Sequence, residues 1–205
     1  MIYIYGGGGR AKLIKELLIR NNFKLSNILL IDDFKEKYKN SSFLIKNFNY
    51  KKDRLFIGIS DPNLQKKKYL LFKSKLKIRD NDPLIDPSAI LKSNTKIGKN
   101  VIILENASIG PEVCIEDSVF IGSKVIINHD CIIKKFTTIG HGANLAGNVK
   151  IYEYCIIGIS ATLKQNTTVE KNVVVDSGSN IISRCEKDSI YIGNPAKKLN
   201  KKNNH

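Results

Sequence analysis

The sequence predicts a chain of two unlike parts: an α/β segment with a βαβαβ half-Rossmann pattern over residues 1–82, then a parallel β-helix over residues 83–205, tail included. Three observations carry this. Aliphatic residues recur at every sixth position through the second part. A short apolar strand runs straight into four glycines at the N-terminus. Asp82-Pro83 separates the two patterns.

The repeat begins at Ile85 and continues through Leu91, Ile97, Ile103, Ile109 and onward to Val175 and Ile181, 17 consecutive hexads without an insertion. Four residues after each aliphatic residue stands a small one, among them Ala107, Val113, Val119, Cys131, Ala143, Cys155 and Cys185. A period of six fits neither a helix at 3.6 nor an amphipathic strand at 2, but it fits a short strand plus a turn. The small residue and the next aliphatic one are two apart and so share a face. Stacked coils then bury a core that no single hexad buries alone. Glycines often follow the aliphatic residue, as at Gly98, Gly110, Gly122, Gly140 and Gly158. They are expected at corners that need unusual backbone angles.

In the first part, Ile2–Tyr5 reads as a strand, Gly6 to Gly9 as a loop, and residues 10–21 as an amphipathic helix with Leu13, Leu17 and Leu18 on one face. A second strand, Ile28–Ile31, ends in Asp32-Asp33. A third covers residues 55–59, and Ser60-Asp61-Pro62 caps a helix running to about Ser74. Glycines after a first strand let a phosphate or ribose approach the backbone and the helix N-terminus. Gly7, Gly8, Gly9 and Arg10 are therefore candidate ligand contacts, and Asp32 or Asp33 is placed to accept from ribose hydroxyls. The segment is too small for a full dinucleotide fold.

The net charge is +15, and residues 1–84 hold 19 Lys+Arg against 8 Asp+Glu. A lysine-rich solvated surface accounts for this, and attraction of a phosphate-bearing small molecule is the sharper reading. No basic–aromatic motif points to nucleic acid, and no apolar run is long enough to span a membrane. The N-terminus lacks a basic leader, so a cytoplasmic protein is expected. Cys114, Cys131, Cys155 and Cys185 show no Cys-x-x-Cys spacing beside only three histidines, so no metal site is expected.

Units of the form Ile-Gly-x-x-Val-x resemble the hexapeptide-repeat acyltransferases, and Gly193-Asn194-Pro195-Ala196-Lys197 matches the closing motif of that family. The resemblance implies a left-handed parallel β-helix, three hexads per coil, and a homotrimer. With the Gly-rich segment in front, the chain resembles sugar acetyltransferases of the bacillosamine and sialic-acid group, most of all those that N-acetylate UDP-linked 4-amino sugars. The stretches that carry this are Tyr3-Ile4-Tyr5-Gly6, Ile31-Asp32-Asp33-Phe34-Lys35, Asn128-His129-Asp130-Cys131 and Ala146-Gly147-Asn148-Val149-Lys150-Ile151. There are departures. Gly9-Arg10-Ala11 stands where the family loop usually ends Gly-His-Gly. Asp86-Pro87-Ser88-Ala89 replaces a common His-Pro-Ser-Ala, and Thr138 replaces a histidine associated with coenzyme A.

An amine attacking a thioester needs a base of near-neutral pKa, and histidine suits it. His129, the third residue of its hexad, is expected at a corner and pointing outward. The resemblance makes it the catalytic base, with Asp130 orienting the ring. It also implies acetyl-CoA as co-substrate, with Thr138, Gly147 and Ile159 along its channel. Arg10 is suited to bidentate binding of a diphosphate. His141, two hexads beyond His129, is a candidate for the same cleft, and His205 is the third histidine. The function expected is N-acetylation of the 4-amino group of a nucleotide-linked sugar, UDP foremost, for surface glycan or glycoprotein synthesis. Two alternatives are an O-acetyltransferase of free sialic acid and a non-catalytic trimeric binding protein.

Overall fold

The computed structural model describes residues 1–199. The N-terminal part alternates strand and helix: β1 (Ile2–Tyr5), α1 (Gly9–Arg20), β2 (Ile28–Ile31), α2 (Ser41–Asn47), β3 (Arg54–Ile57) and α3 (Pro62–Leu76). Its three strands are parallel in the order β2-β1-β3, with Tyr5 opposite both Ile31 and Ile57. Asp61 caps α3 by accepting from Leu64 N at 2.7 Å, with Pro62 in the first turn, the arrangement read from the sequence. The helix α2 was not legible there. It is seven residues long, and its signal is Asn40, whose side chain accepts from Phe43 N.

From Leu84 onward the chain is a β-solenoid of about six turns built from two-residue strands, starting with Leu84–Ile85 and Ile90–Leu91 and ending with Asn180–Ile181. Successive strands fall on three parallel sheets. We call sheet 1 the eight-stranded one that begins with Leu84–Ile85, sheet 2 the six-stranded one that begins with Ile90–Leu91, and sheet 3 the five-stranded one that begins with Lys96–Ile97. Residues 18 apart are stacked neighbours, as Phe120 is with Ile102 and Thr138. Both sequence registers point inward: Ile103, Ile121, Ile139 and Ile157 with Val101, Ala143, Cys155 and Ala161 form one continuous core, each fully buried. A hairpin of Ile190–Gly193 and Ala196–Lys198 pairs onto the last strand of sheet 1 and closes the stack.

The corner glycines serve a different purpose from the one the sequence suggested. Gly98, Gly110, Gly122, Gly140 and Gly158 are absent from the positive-φ set, which instead holds the residue two positions on, such as Asn100, Glu112, Lys124 and Ser160. A Cβ on Gly122 would lie 2.7 Å from His141 N, and one on Gly110 2.8 Å from His129 N. Glycine is needed there because the next coil's backbone passes too close for any side chain.

The two parts share a core. Ile4, Ala11, Ile14 and Leu18 pack with Leu84, Ile102, Leu104 and Phe120, so α1 lies on the outer face of sheet 1. At the far end of α1, Arg20 donates to both oxygens of Asp86, at 2.5 and 2.9 Å. That contact holds the Asp86 carboxyl far below its usual range. On the opposite side of the small sheet, Phe72 and Leu76 of α3 pack with Tyr5, Ile31 and Leu44. At another corner Phe136 stacks on Tyr154, whose hydroxyl accepts from Lys66 of α3. Among the described residues no helix is long and apolar enough to cross a membrane, and no His/Cys/Asp/Glu group is arranged to hold a metal.

Candidate functional site

His129 and Asp130 lie on the corner between Ile126–Ile127 of sheet 2 and Ile132–Ile133 of sheet 3. Asp130 adopts the left-handed conformation at φ 60°, which a short polar side chain tolerates better than most. Both side chains stand out from the prism, 53% and 58% exposed. His129 Nδ1 lies 2.7 Å from Asp130 Oδ2. A carboxylate only accepts, so Nδ1 donates, and in the neutral ring the lone pair is left on Nε2. That edge of the ring rests on Gly147 of the next coil, where a Cβ would stand 2.5 Å from both Cε1 and Nε2. Gly147 is therefore glycine to make room for the imidazole. Its N–H has no partner among the described residues.

A second feature lies on another edge, where sheet 1 turns into sheet 2 and the start of α1 docks. There the two parts of the chain enclose a cleft of about 390 Å³. Phe120 and Ile156 of the solenoid and Leu13 of α1 give it an apolar floor. Gly9, Arg10, Ser60, Thr138, His141, Ile159 and Ser177 complete the wall, and no carboxylate lines it. Arg10 is only 6% exposed. It donates to Ile59 O and to Thr138 Oγ1, both at 2.9 Å, and its guanidinium lies 4.1 Å from the Phe120 ring centre. Burial holds its pKa down to about 10, and no carboxylate pairs with it among the described residues. The start of α1 has no side-chain cap and no acid in its first turn, so its N–H groups add positive potential on the same side.

Within one copy His141 does not share the His129 edge. A turn takes three hexads, so two hexads carry the chain on to a different corner. The same geometry divides Thr138 and Ile159, which line the cleft, from Gly147, which touches His129.

At the Gly-rich loop the candidates separate. Gly9 and Arg10 reach the cleft. Gly7 is pressed by the following loop: a Cβ there would meet Tyr38, Asp32 and Lys35 within 2.9 Å, and Lys35 Nζ donates to Gly7 O. Space is open beside Gly8. Asp33 is fully engaged. Burial alone would raise its pKa, but bonds from the Tyr5 hydroxyl at 2.5 Å and Ser41 N at 2.7 Å, with Lys68 nearby, bring it down to about 2. Asp32 spends Oδ1 on the Phe34 and Lys35 amides and leaves Oδ2 facing Gly7. Burial raises the thiols of Cys131 to about 11 and of Cys155 and Cys185 to about 12, which suits core packing and disfavours a thiolate. His205 lies outside the described residues.

The sequence marked Leu13 only as a helix-face residue and Ser60 only as part of a helix cap, and did not single out Phe120 or Ser177. A signal for Phe120 existed. The outward residue of each sheet 1 strand recurs every 18 positions as Leu84, Ile102, Phe120, Thr138, Ile156 and Val174, mostly apolar. The corresponding sheet 3 series, Lys96, Cys114, Ile132, Lys150 and Thr168, is mixed. An apolar outer stripe marks the face on which α1 docks.

A three-sided parallel solenoid with a docked α/β cap defines a hexapeptide-repeat protein. Residues 80–190 match the family described as the GMPPB C-terminal domain, and the chain belongs to that family. Over its whole length it is similar in fold to the acetyltransferase domain of PglB from Neisseria gonorrhoeae, with 24% identity, TM-score 0.87, and 97% of this chain and 98% of that chain covered. It is similar to PerB from Caulobacter crescentus, solved with CoA and GDP-perosamine, at 24% identity, TM-score 0.87, and 97% of each chain. It also resembles WeeI from Acinetobacter baumannii, at 19% identity, TM-score 0.88, and 97% and 99% coverage.

Proposed function

We propose that this chain is an acetyl-CoA-dependent N-acetyltransferase that acts on the 4-amino group of a nucleotide-linked amino sugar, in surface glycan or glycoprotein synthesis. The observation that carries the reading is the His129–Asp130 corner: an exposed imidazole with its lone pair on Nε2, held against a glycine. The PglB domain is an acetyltransferase and PerB was solved with CoA and GDP-perosamine, which supports the same chemistry here. His129 takes the proton as the amine attacks the thioester carbon and Asp130 stabilises the imidazolium; as the C–S bond breaks the imidazolium returns the proton to the sulfur, and CoA leaves as the thiol. The unpartnered Gly147 N–H is the donor for the developing oxyanion.

In this reading residues 1–82 form a half-Rossmann domain that holds the nucleotide, and residues 83–205 are a second domain whose left-handed β-helix, ahead of a C-terminal tail, holds acetyl-CoA. Asp32, with a free oxygen, is the ribose contact and Asp33 a brace for the loop. Gly9 and Arg10 face the sugar diphosphate. Thr138, Gly147 and Ile159 flank the CoA arm. Thr138 and Ile159 lie on one edge of the prism and Gly147 on another, and a CoA held between two copies would touch all three. A homotrimer, working in the cytoplasm, provides that.

The test is thiol release from acetyl-CoA by the wild-type chain with UDP-, dTDP- and GDP-linked 4-amino sugars and with free sialic acid. Release dependent on one nucleotide amino sugar, with an N-acetyl product, is the expected result. Release with sialic acid alone would establish the O-acetyltransferase instead, and silence with every acceptor would contradict the enzyme reading.

A further inference from the structure

His141 is the residue that the reading above leaves without a role. It sits one coil above Ser123 and one coil below Ile159 on the cleft edge. Its Nδ1 accepts the Ser123 backbone N–H at 3.0 Å. A backbone N–H only donates, so in the neutral ring Nδ1 carries the lone pair and Nε2 carries the proton. This is the reverse of His129. The Nε2–H has no partner among the described residues, and the ring forms part of the cleft wall. Arg10 lines the same cleft, 6% exposed, with hydrogens left over after its bonds to Ile59 O and Thr138 Oγ1 and with no carboxylate to balance it. The wall thus offers donors and positive charge and no negative group.

We propose that His141 is a further ligand-binding donor of this cleft, presenting Nε2–H with the Arg10 guanidinium to the phosphate oxygens of a diphosphate-bearing ligand. The proposal rests on the acetyltransferase reading, which supplies two such ligands, a nucleotide sugar and CoA. The shared chemistry is the diphosphate. A diphosphate spreads charge over several oxygens, so one fixed N–H and one planar cation engage it together. Water does not replace the pair well, because the apolar floor of Phe120, Ile156 and Leu13 leaves the guanidinium poorly solvated without a ligand. The Ser123 amide gives His141 its directionality: it fixes the ring's orientation and the nitrogen that donates.

Calorimetric titration of the full chain tests this apart from turnover. UDP, GDP, dTDP and CoA are each titrated into the wild type, His141→Phe and His141→Gln. Phe keeps a flat ring and removes the donor. Gln restores an amide N–H at a similar reach. For whichever of the four the wild type binds through this cleft, the Phe variant is expected to lose about ten- to a hundredfold in affinity, as for a hydrogen bond to a charged group. Gln should recover most of that. The affected ligand, nucleoside diphosphate or CoA, identifies which diphosphate His141 reads. Unchanged affinity in the Phe variant for every ligand that the wild type binds overturns the proposal and leaves the acetyltransferase reading intact. Equal losses in Phe and Gln reduce His141 to a packing role and also overturn it. A wild type that binds none of the four overturns both readings.

Discussion

The two corner histidines occupy the same position in their hexads and differ in everything that decides their chemistry. His129 has a carboxylate on Nδ1, so its Nε2 is an acceptor, and it stands on an open edge beside a glycine. His141 has a backbone N–H on Nδ1, so its Nε2 is a donor, and it forms part of a cleft wall beside a buried arginine. One sequence repeat produces two opposite tautomers because the neighbour of each ring differs: Asp130, next in sequence, for the first, and the Ser123 amide, one coil below, for the second. A repeat sets where a side chain points, and the partner it meets there sets what it does.

The largest break in this comparison is His129→Ala, which removes the acceptor. The expected fall in kcat/KM for acetyl transfer is about 10²- to 10⁴-fold, with the melting temperature close to wild type because the ring is exposed. Gly147→Ala keeps His129 but pushes its ring aside, since the new Cβ would lie 2.5 Å from Nε2. The expected loss is about 10²-fold in kcat, measured with acetyl-CoA and acceptor both saturating. Asp130→Asn leaves a ring whose tautomer is no longer enforced, and kcat should fall about tenfold or more. Arg10→Met sharpens the other edge. The apolar stem still packs on Phe120, so thermal stability should change little. Affinity for the diphosphate ligand should fall about ten- to a hundredfold, measured by calorimetry. The smallest effect separates architecture from chemistry. Asp86, bonded to Arg20 and Ser88, has its carboxyl depressed in the folded chain. A depressed carboxylate contributes stability that is present above its unfolded value and lost as pH falls through the folded one. Denaturation of Arg20→Gln should therefore show less stability than wild type near neutrality. The two curves should begin to approach below about 3.8, the ordinary aspartate value, and meet only as pH falls through the much lower folded value.

Much of this was legible in the sequence, for a physical reason. The solenoid is an almost one-dimensional stack in which each hexad meets its like, so a period of six in Ile103, Ile109 and Ile115 maps directly onto one core. His129 was legible because a corner position follows from the same count. The cleft was not, because it depends on contacts distant in sequence. Arg10 Nη2 meets Thr138, 128 residues away, and the role of His141 depends on a backbone amide in another coil. Spacing along the chain carries no information about either. The corner glycines were misread for the same cause, since what crowds them is the neighbouring coil. In the N-terminal part, Asp32 and Asp33 look equivalent as a pair. Only the fold shows Tyr5 and Ser41 occupying the second of them.

The central claim is that the acceptor edge of one copy and the donor edge of another make one active site. The most direct test is complementation by co-expression of two variants inactive alone, one with His129→Ala and one with Arg10→Met and His141→Phe together. If each site draws its edges from neighbouring copies, random mixing in equal amounts restores both intact edges at about a quarter of sites. Thiol release should then recover to about that fraction of wild type. Release no greater than that of either variant alone, from oligomers shown to contain both chains, would contradict the account.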